Sequence, residues 1–182
     1  MSSEELYILG QVLGILVTVG CILASQFPKR WHMLLFSSLC NLLSGCNYFF
    51  VTGGRALSVV LSCLVATVHC FVAHLYARRD RSEPVWEKCI AGVLYVAAWA
   101  IGYRAPMDFF PLVGTVFFML SSFAGREQRM RLFSLLNALT YVVYNAILLN
   151  SAIFAQIFSA ASILIALIRY GRRAKAEGKP IL

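Results

Sequence analysis

Two polar patterns combine amide and hydroxyl side chains at helical spacing within otherwise apolar runs. Each reads Asn-x-x-Ser/Thr-x-x-x-Tyr: Asn41, Ser44 and Tyr48, then, 96 positions later, Asn137, Thr140 and Tyr144. Steps of three and four residues keep side chains on one face of an α-helix. Amide and hydroxyl groups donate and accept hydrogen bonds without carrying charge. Two such faces turned toward each other predict a cavity that binds a small neutral polar solute.

The same patterns have a simpler interpretation as hydrogen-bonding contacts between helices, worth about 0.6–2 kcal/mol each. Carriers commonly bind their substrate where two repeats meet, and the repetition therefore favours a cavity. Ser62 and Gln156 follow the two patterns at similar distances and extend the candidate site. Tyr48 and Tyr144 are either a gate or members of the aromatic belt at the membrane surface, and the belt is favoured.

Ionisable residues are scarce inside the apolar runs. His69 is the only one deep within a run. It is expected either to hydrogen-bond to a neighbouring helix or to act as a proton relay or ligand contact. The eight acidic residues all lie at or outside the ends of the runs, whereas coupled carriers commonly bury a carboxylate. Passive, facilitated movement is therefore favoured over coupling to protons or sodium.

The composition is that of an integral membrane protein. Of the 182 residues, 60% are hydrophobic and 13% charged, against about 45–50% apolar residues in soluble domains. The net charge of +8 falls at the ends of the runs, which gives no reason to expect a nucleic-acid partner. No enzyme signature, cofactor motif or metal-ligand cluster is present in the sequence, and the six cysteines are expected to be small packing residues.

Seven runs approach the roughly 20 residues that a bilayer requires. They cover 6–27, 31–52, 56–76, 85–103, 109–124, 130–149 and 152–168. Tight turns are expected at Gly53-Gly54 and at Asn150-Ser151, one in each half. The expected fold is all-α, with two three-helix repeats (1–83 and 106–172), a connector helix (84–105) and a basic cytoplasmic tail (173–182).

Positive charge indicates the orientation, because Lys and Arg prefer the cytoplasmic side. With the N-terminus outside, fourteen of the sixteen basic residues lie on the inner side, and only Arg55 and Arg104 lie outside. Seven spans therefore predict an external N-terminus and a cytoplasmic C-terminus. Because one helix separates the repeats, both enter the membrane in the same direction and are parallel.

This arrangement resembles the SWEET sugar transporters, and each half resembles a SemiSWEET protomer of the PQ-loop superfamily. More narrowly, the chain resembles the YgjV-type bacterial inner-membrane proteins over nearly its whole length. The residues that carry this second resemblance are 110–114 (Phe-Pro-Leu-Val-Gly), 137–145 and the basic approach at 126–131. The resemblance implies location in a bacterial inner membrane, in contact with the lipid bilayer.

The sugar transporters differ from this chain at their hinges. No Pro-Gln dipeptide occurs, the first span contains no internal proline, and Pro111 stands at the start of the fifth span. The first hypothesis is a facilitator of a sugar-like neutral solute that works by alternating access. The second is a non-transporting scaffold or sensor whose basic tail binds lipid or a partner. Homo-oligomerisation stays open under both.

Overall fold

The computed structural model describes residues 3–147 and 152–176, and every regular element in this part of the chain is helical. The helices are α1 (Ser3–Gln26), α2 (Arg30–Thr52), α3 (Leu57–Arg78), α4 (Val85–Gly102), α5 (Phe109–Phe123), α6 (Glu127–Ile147) and α7 (Ala152–Ala176). A short 3-10 turn, Pro106–Asp108, precedes α5. The predicted runs agree with these helices within a few residues, except that α7 continues into the predicted tail. The turn predicted at Asn150-Ser151, the end of the sixth run and the tail beyond residue 176 lie outside the described residues.

Six of these seven helices are long and apolar enough to cross a membrane. The remaining one is α6, which carries Arg131, Asn137 and Asn145 within its apolar stretch. Its 21 residues rise about 31 Å at 1.5 Å per residue, which matches the hydrocarbon thickness of a bilayer. The chain is therefore an all-α integral membrane protein.

Two of the connections between helices are explained by their local structure. Gly53 and Gly54 have φ angles of 59° and 79°, a left-handed conformation that glycine adopts without steric cost. They close the turn predicted between α2 and α3. Between α4 and α5, the Asp108 carboxylate accepts the backbone N–H groups of Arg104 and Ala105 at 2.7 and 3.0 Å.

The helices form a ring in which sequence neighbours are also neighbours in space. α2 packs between α1 and α3, and α6 packs between α5 and α7. α4 lies against α3 and touches α5, while α7 returns to α1 and closes the ring. α1 approaches α2 closely at Gly10, whose carbonyl accepts the Asn47 amide at 2.7 Å.

The outer surface of the ring is apolar, whereas the inner surface combines apolar and polar side chains. Large hydrophobic side chains are exposed along the helices, with Ile15 of α1 65% exposed. Serine, asparagine and threonine side chains are instead buried between helices. A ring of this kind contacts the lipid bilayer with its outside and collects hydrogen-bonding groups at its centre.

Candidate functional site

A central cavity of about 140 Å³ lies inside the ring and is lined by side chains from all seven helices. Five of the six predicted binding residues line it: Asn41, Ser44, Ser62, Asn137 and Gln156. Along α2 the lining extends from Met33 to Tyr48, a rise of about 22 Å at 1.5 Å per residue. The cavity is therefore elongated along the helix axes and touches both polar stripes.

Thr140 is the predicted binding residue that is not part of the lining. Its hydroxyl donates to the carbonyl of Leu136 on the same helix at 2.9 Å. Threonine in a helix commonly makes this bond to the residue four positions earlier. The residue is thus satisfied within α6 and contributes no free group to the cavity.

The two asparagines of the stripes differ in their hydrogen bonding. The Asn41 amide nitrogen donates to the carbonyl of Ser37 at 2.7 Å. The Asn137 Oδ1 atom is buried and has no hydrogen-bond partner among the described residues. A buried acceptor without a partner costs about 1–3 kcal/mol, so a ligand or water that donates a hydrogen bond here is favoured.

Arg131 is the charged residue that lines the cavity. It is only 2% exposed, although it is one of the basic residues predicted on the cytoplasmic side. Its guanidinium donates to the carbonyls of Ser25 and Phe27, at 3.2 and 2.6 Å, and to the side-chain oxygen of Gln128 at 3.3 Å. We call this part of the cavity the arginine end.

Tyr48 lines the opposite part of the cavity, which we call the tyrosine end. The Tyr48 hydroxyl and the Asn145 amide are hydrogen-bonded at 3.4 Å, which joins α2 to α6. Tyr48 is 5% exposed and Tyr144 is 3% exposed. Both rings lie inside the bundle, so the favoured assignment to the interfacial aromatic belt is wrong.

A buried polar chain connects the central cavity with the loop after α3. Tyr95 lines the cavity, and its hydroxyl lies 3.3 Å from His69 Nδ1. His69 Nε2 lies 3.3 Å from one carboxylate oxygen of Glu83, whose other oxygen accepts from Arg30 at 3.1 Å. His69 and Glu83 also line a second, mostly apolar cavity of about 490 Å³ between α3 and α4.

Glu83 lies outside the helices, as predicted for the acidic residues, but its side chain is buried. It follows α3 in a loop, yet its side chain is only 2% exposed. Burial raises the pKa of this carboxyl, but His69 and Arg30 together outweigh burial and hold the pKa below its ordinary value of 4.5. The ionised pair therefore stabilises the fold fully above pH 4.5, and this contribution fades as the pH falls through the lowered pKa.

The sequence contains signals for two residues of the site that lie outside the two polar patterns. Arg131 falls one position inside the predicted run 130–149, and an ionisable residue within a span indicates function by default. Asn145 continues the face of Asn137 at a spacing of eight residues. No comparable local signal identifies Tyr95 or Glu83, because their roles depend on contacts between distant helices.

The fold and the cavity together define a polytopic helical membrane protein with a polar interior. The family model described as Imp-YgjV, bacterial inner membrane protein, matches residues 8–177. The chain therefore belongs to this family of bacterial inner-membrane proteins. No curated protein and no solved structure matches it. Two segments that carried the resemblance meet in space, because Gly114 packs against Tyr141 and Asn137.

Proposed function

We propose that this protein is a non-enzymatic facilitator that moves a small polar solute across the inner membrane. The central cavity carries the proposal, because side chains from every helix converge on it and both polar stripes line it. Its volume of about 140 Å³ corresponds to about four or five water molecules at ~30 Å³ each. A polar interior of this size, surrounded by an apolar outer surface, suits passage of a solute better than simple helix packing.

The mechanism that we propose is alternating access between two parallel halves, α1–α3 and α5–α7, with α4 as connector. Hydrogen bonds join the halves near both ends of the cavity. At the arginine end, Arg131 is joined to the last residues of α1, and Ser25 is bonded to Ser162 at 2.8 Å. At the tyrosine end, Tyr48 and Asn145 form a single contact pair at 3.4 Å. The tyrosine end has fewer and longer bonds to break, and it opens first.

The orientation that we propose places α6 as a seventh span, with the N-terminus outside and the C-terminus in the cytoplasm. The arginine end then faces the cytoplasm, in agreement with the preference of basic residues for that side. A fluorescent protein that matures only in the cytoplasm, fused after Leu182, is expected to be fluorescent. Activity of alkaline phosphatase fused at the same point would contradict this orientation.

Alanine at both Asn41 and Asn137 is expected to lower solute uptake by about tenfold or more, because each lost contact to a bound polar group is worth about 1 kcal/mol. Uptake of polar solutes into vesicles containing the purified protein measures this effect. Thr140→Ala is the matched control, since this hydroxyl lies on α6 but outside the cavity lining. Unchanged uptake in the well-folded double variant would remove the basis of the proposal.

The alternative is a non-transporting scaffold or sensor that acts through its basic C-terminal segment. It predicts a fully packed interior, and the central cavity therefore favours the facilitator. One observation favours the alternative: Arg169 and Arg173 gather around the ring of Tyr170, at 4.6 and 5.7 Å from its centroid. A phenotype that depends on these arginines and is insensitive to Asn41 and Asn137 would support the scaffold.

A further inference from the structure

We propose that the central cavity selects a small monoanion, a monocarboxylate of about three carbons, through the guanidinium of Arg131. This inference rests on the proposed function and changes the expected class of solute from neutral to anionic. It starts from a cationic side chain that lines the cavity and is almost completely buried. A charge in such a place is costly unless an opposite charge compensates it.

The surroundings of Arg131 supply no such charge. The three groups that accept its hydrogen bonds are two backbone carbonyls and one side-chain amide, all of them neutral. Within the described residues, no carboxylate lies within 4 Å of its guanidinium, since the ion pairs found there join Glu83 to Arg30 and to His69. Glu127, one turn earlier on α6, interacts with its charge but stays beyond ion-pair distance.

Arg131 has N–H donors that are free to bind a ligand. A guanidinium has five N–H donors in a planar fork, and three of those of Arg131 are used by neutral acceptors. Two donors remain for a further acceptor. The planar fork matches the geometry of a carboxylate, and charge-assisted bonds of this kind are about twice as strong as neutral ones.

The arginine end also collects positive charge around its aromatic neighbour. The guanidinium of Arg131 lies 4.2 Å from the centroid of the Tyr170 ring, on which Arg169 and Arg173 also pack. Three guanidinium groups therefore surround one ring, and in the described part of the chain none of them forms an ion pair. Arg169 and Arg173 are exposed, and positive charge at the surface beside the arginine end attracts solutes of the opposite sign.

Volume and the remaining polar groups limit the size of the anion. A cavity of about 150 Å³ accepts benzene, which has about six non-hydrogen atoms, and the cavity here has about 140 Å³. A hexose has about twice as many atoms and would not be enclosed. The unpartnered Asn137 Oδ1 favours a hydroxyl donor, on the solute or on a water that accompanies it. Lactate is small enough for the cavity and carries a hydroxyl group that can donate to Asn137.

Lactate and glycerol form a matched pair of probes, because both are hydroxylated and equal in non-hydrogen atoms while only lactate is charged. We would measure uptake of each, labelled, into phosphatidylcholine vesicles that contain the full chain at neutral pH, with protein-free vesicles as background. Lactate uptake is expected to exceed glycerol uptake by about tenfold, as one charge-assisted contact implies. Glycerol uptake equal to or faster than lactate uptake would overturn the anion proposal and leave the facilitator intact. Uptake of neither probe, without binding of either, would overturn both proposals.

Variants test the role of Arg131 itself. Arg131→Gln is expected to reduce lactate uptake about tenfold more than it changes glycerol uptake, and Arg131→Lys is expected to be intermediate, because lysine keeps the charge but lacks the fork. Arg129→Gln is the control, since Arg129 is exposed on the same helix. Lactate uptake unaffected in a folded Arg131→Gln variant would refute the assignment.

A lipid headgroup offers the same anionic chemistry, and binding to the purified protein separates the two sources. Lactate is expected to raise the unfolding temperature of the wild-type protein in neutral detergent, while glycerol at the same concentration is not. This comparison needs no variant and holds even if Arg131→Gln fails to fold. Stabilisation by phosphatidylglycerol that requires Arg131, with none by lactate, would assign the site to a lipid headgroup and contradict the proposal.

Discussion

Glu83→Ala is expected to lower the free energy of unfolding by about 3–5 kcal/mol, as removal of one partner of a buried ion pair does. The carboxylate accepts from Arg30 at 3.1 Å and contacts His69 at 3.3 Å, and its side chain is nearly fully buried. Alanine would leave the Arg30 guanidinium inside the bundle with the carbonyl of Ser122 as its remaining acceptor. The Nε atom of Arg30 already lacks a partner among the described residues.

The measurement is reversible unfolding of the purified protein in mixed micelles, followed by circular dichroism. Glu83→Gln is expected to cost less than the alanine variant, because the amide oxygen still accepts a hydrogen bond from Arg30. Asp80→Asn provides the matched control, since this carboxylate lies three residues earlier and is exposed. Equal stability of the Glu83→Ala and Asp80→Asn proteins would show that the buried pair contributes nothing.

Hydropathy and turn chemistry were sufficient to predict the helices. A run of about 20 apolar residues has few alternatives to a helix in a membrane, because its backbone groups must bond to one another. Glycine at 53 and 54 adopts the left-handed conformation that the turn requires. These properties are local, and a single sequence therefore contains them.

Helical periodicity was sufficient to place most of the predicted site residues in the cavity lining, because spacing along one helix is also a local property. Asn41 and Ser44 share one face of α2, and that face lines the cavity. Thr140 shows where the pattern fails. A hydroxyl can satisfy itself on its own helix, and periodicity cannot distinguish such a residue from one with a free hydroxyl.

The burial of two charged side chains was not predicted, because it depends on distant contacts. Glu83 belongs to the most polar internal segment of the sequence, yet its carboxylate reaches His69, fourteen positions earlier. Arg131 was predicted on the cytoplasmic side, at the beginning of the sixth run, and carbonyl groups at the end of α1, more than a hundred positions away, hold its side chain inside the bundle. Hydropathy describes the average environment of a segment and does not determine which way a side chain at its boundary points.

Gly102→Ala is expected to destabilise the protein by about 1–3 kcal/mol, the usual cost of inserting a methyl group into a packed contact. A Cβ atom at Gly102 would overlap the backbone nitrogen and Cα of Ser58, at the beginning of α3. Backbone atoms cannot rotate away as a flexible side chain can, so the end of α4 would have to move away from α3. The same two helices carry Tyr95 and His69, whose contact joins the cavity to Glu83.

Gly92→Ala is the control that separates this contact from the general effect of glycine on a helix. Its added Cβ atom would lie 3.7 Å from the sulfur of Met119, an ordinary contact distance. Alanine is favoured over glycine in a helix interior by up to about 1 kcal/mol, so this variant is expected to be neutral or more stable. Unfolding of both variants under the same conditions provides the test. If Gly102→Ala proves as stable as Gly92→Ala, the close approach to Ser58 does not hold α4 in place, and α4 can separate from α3 at little cost.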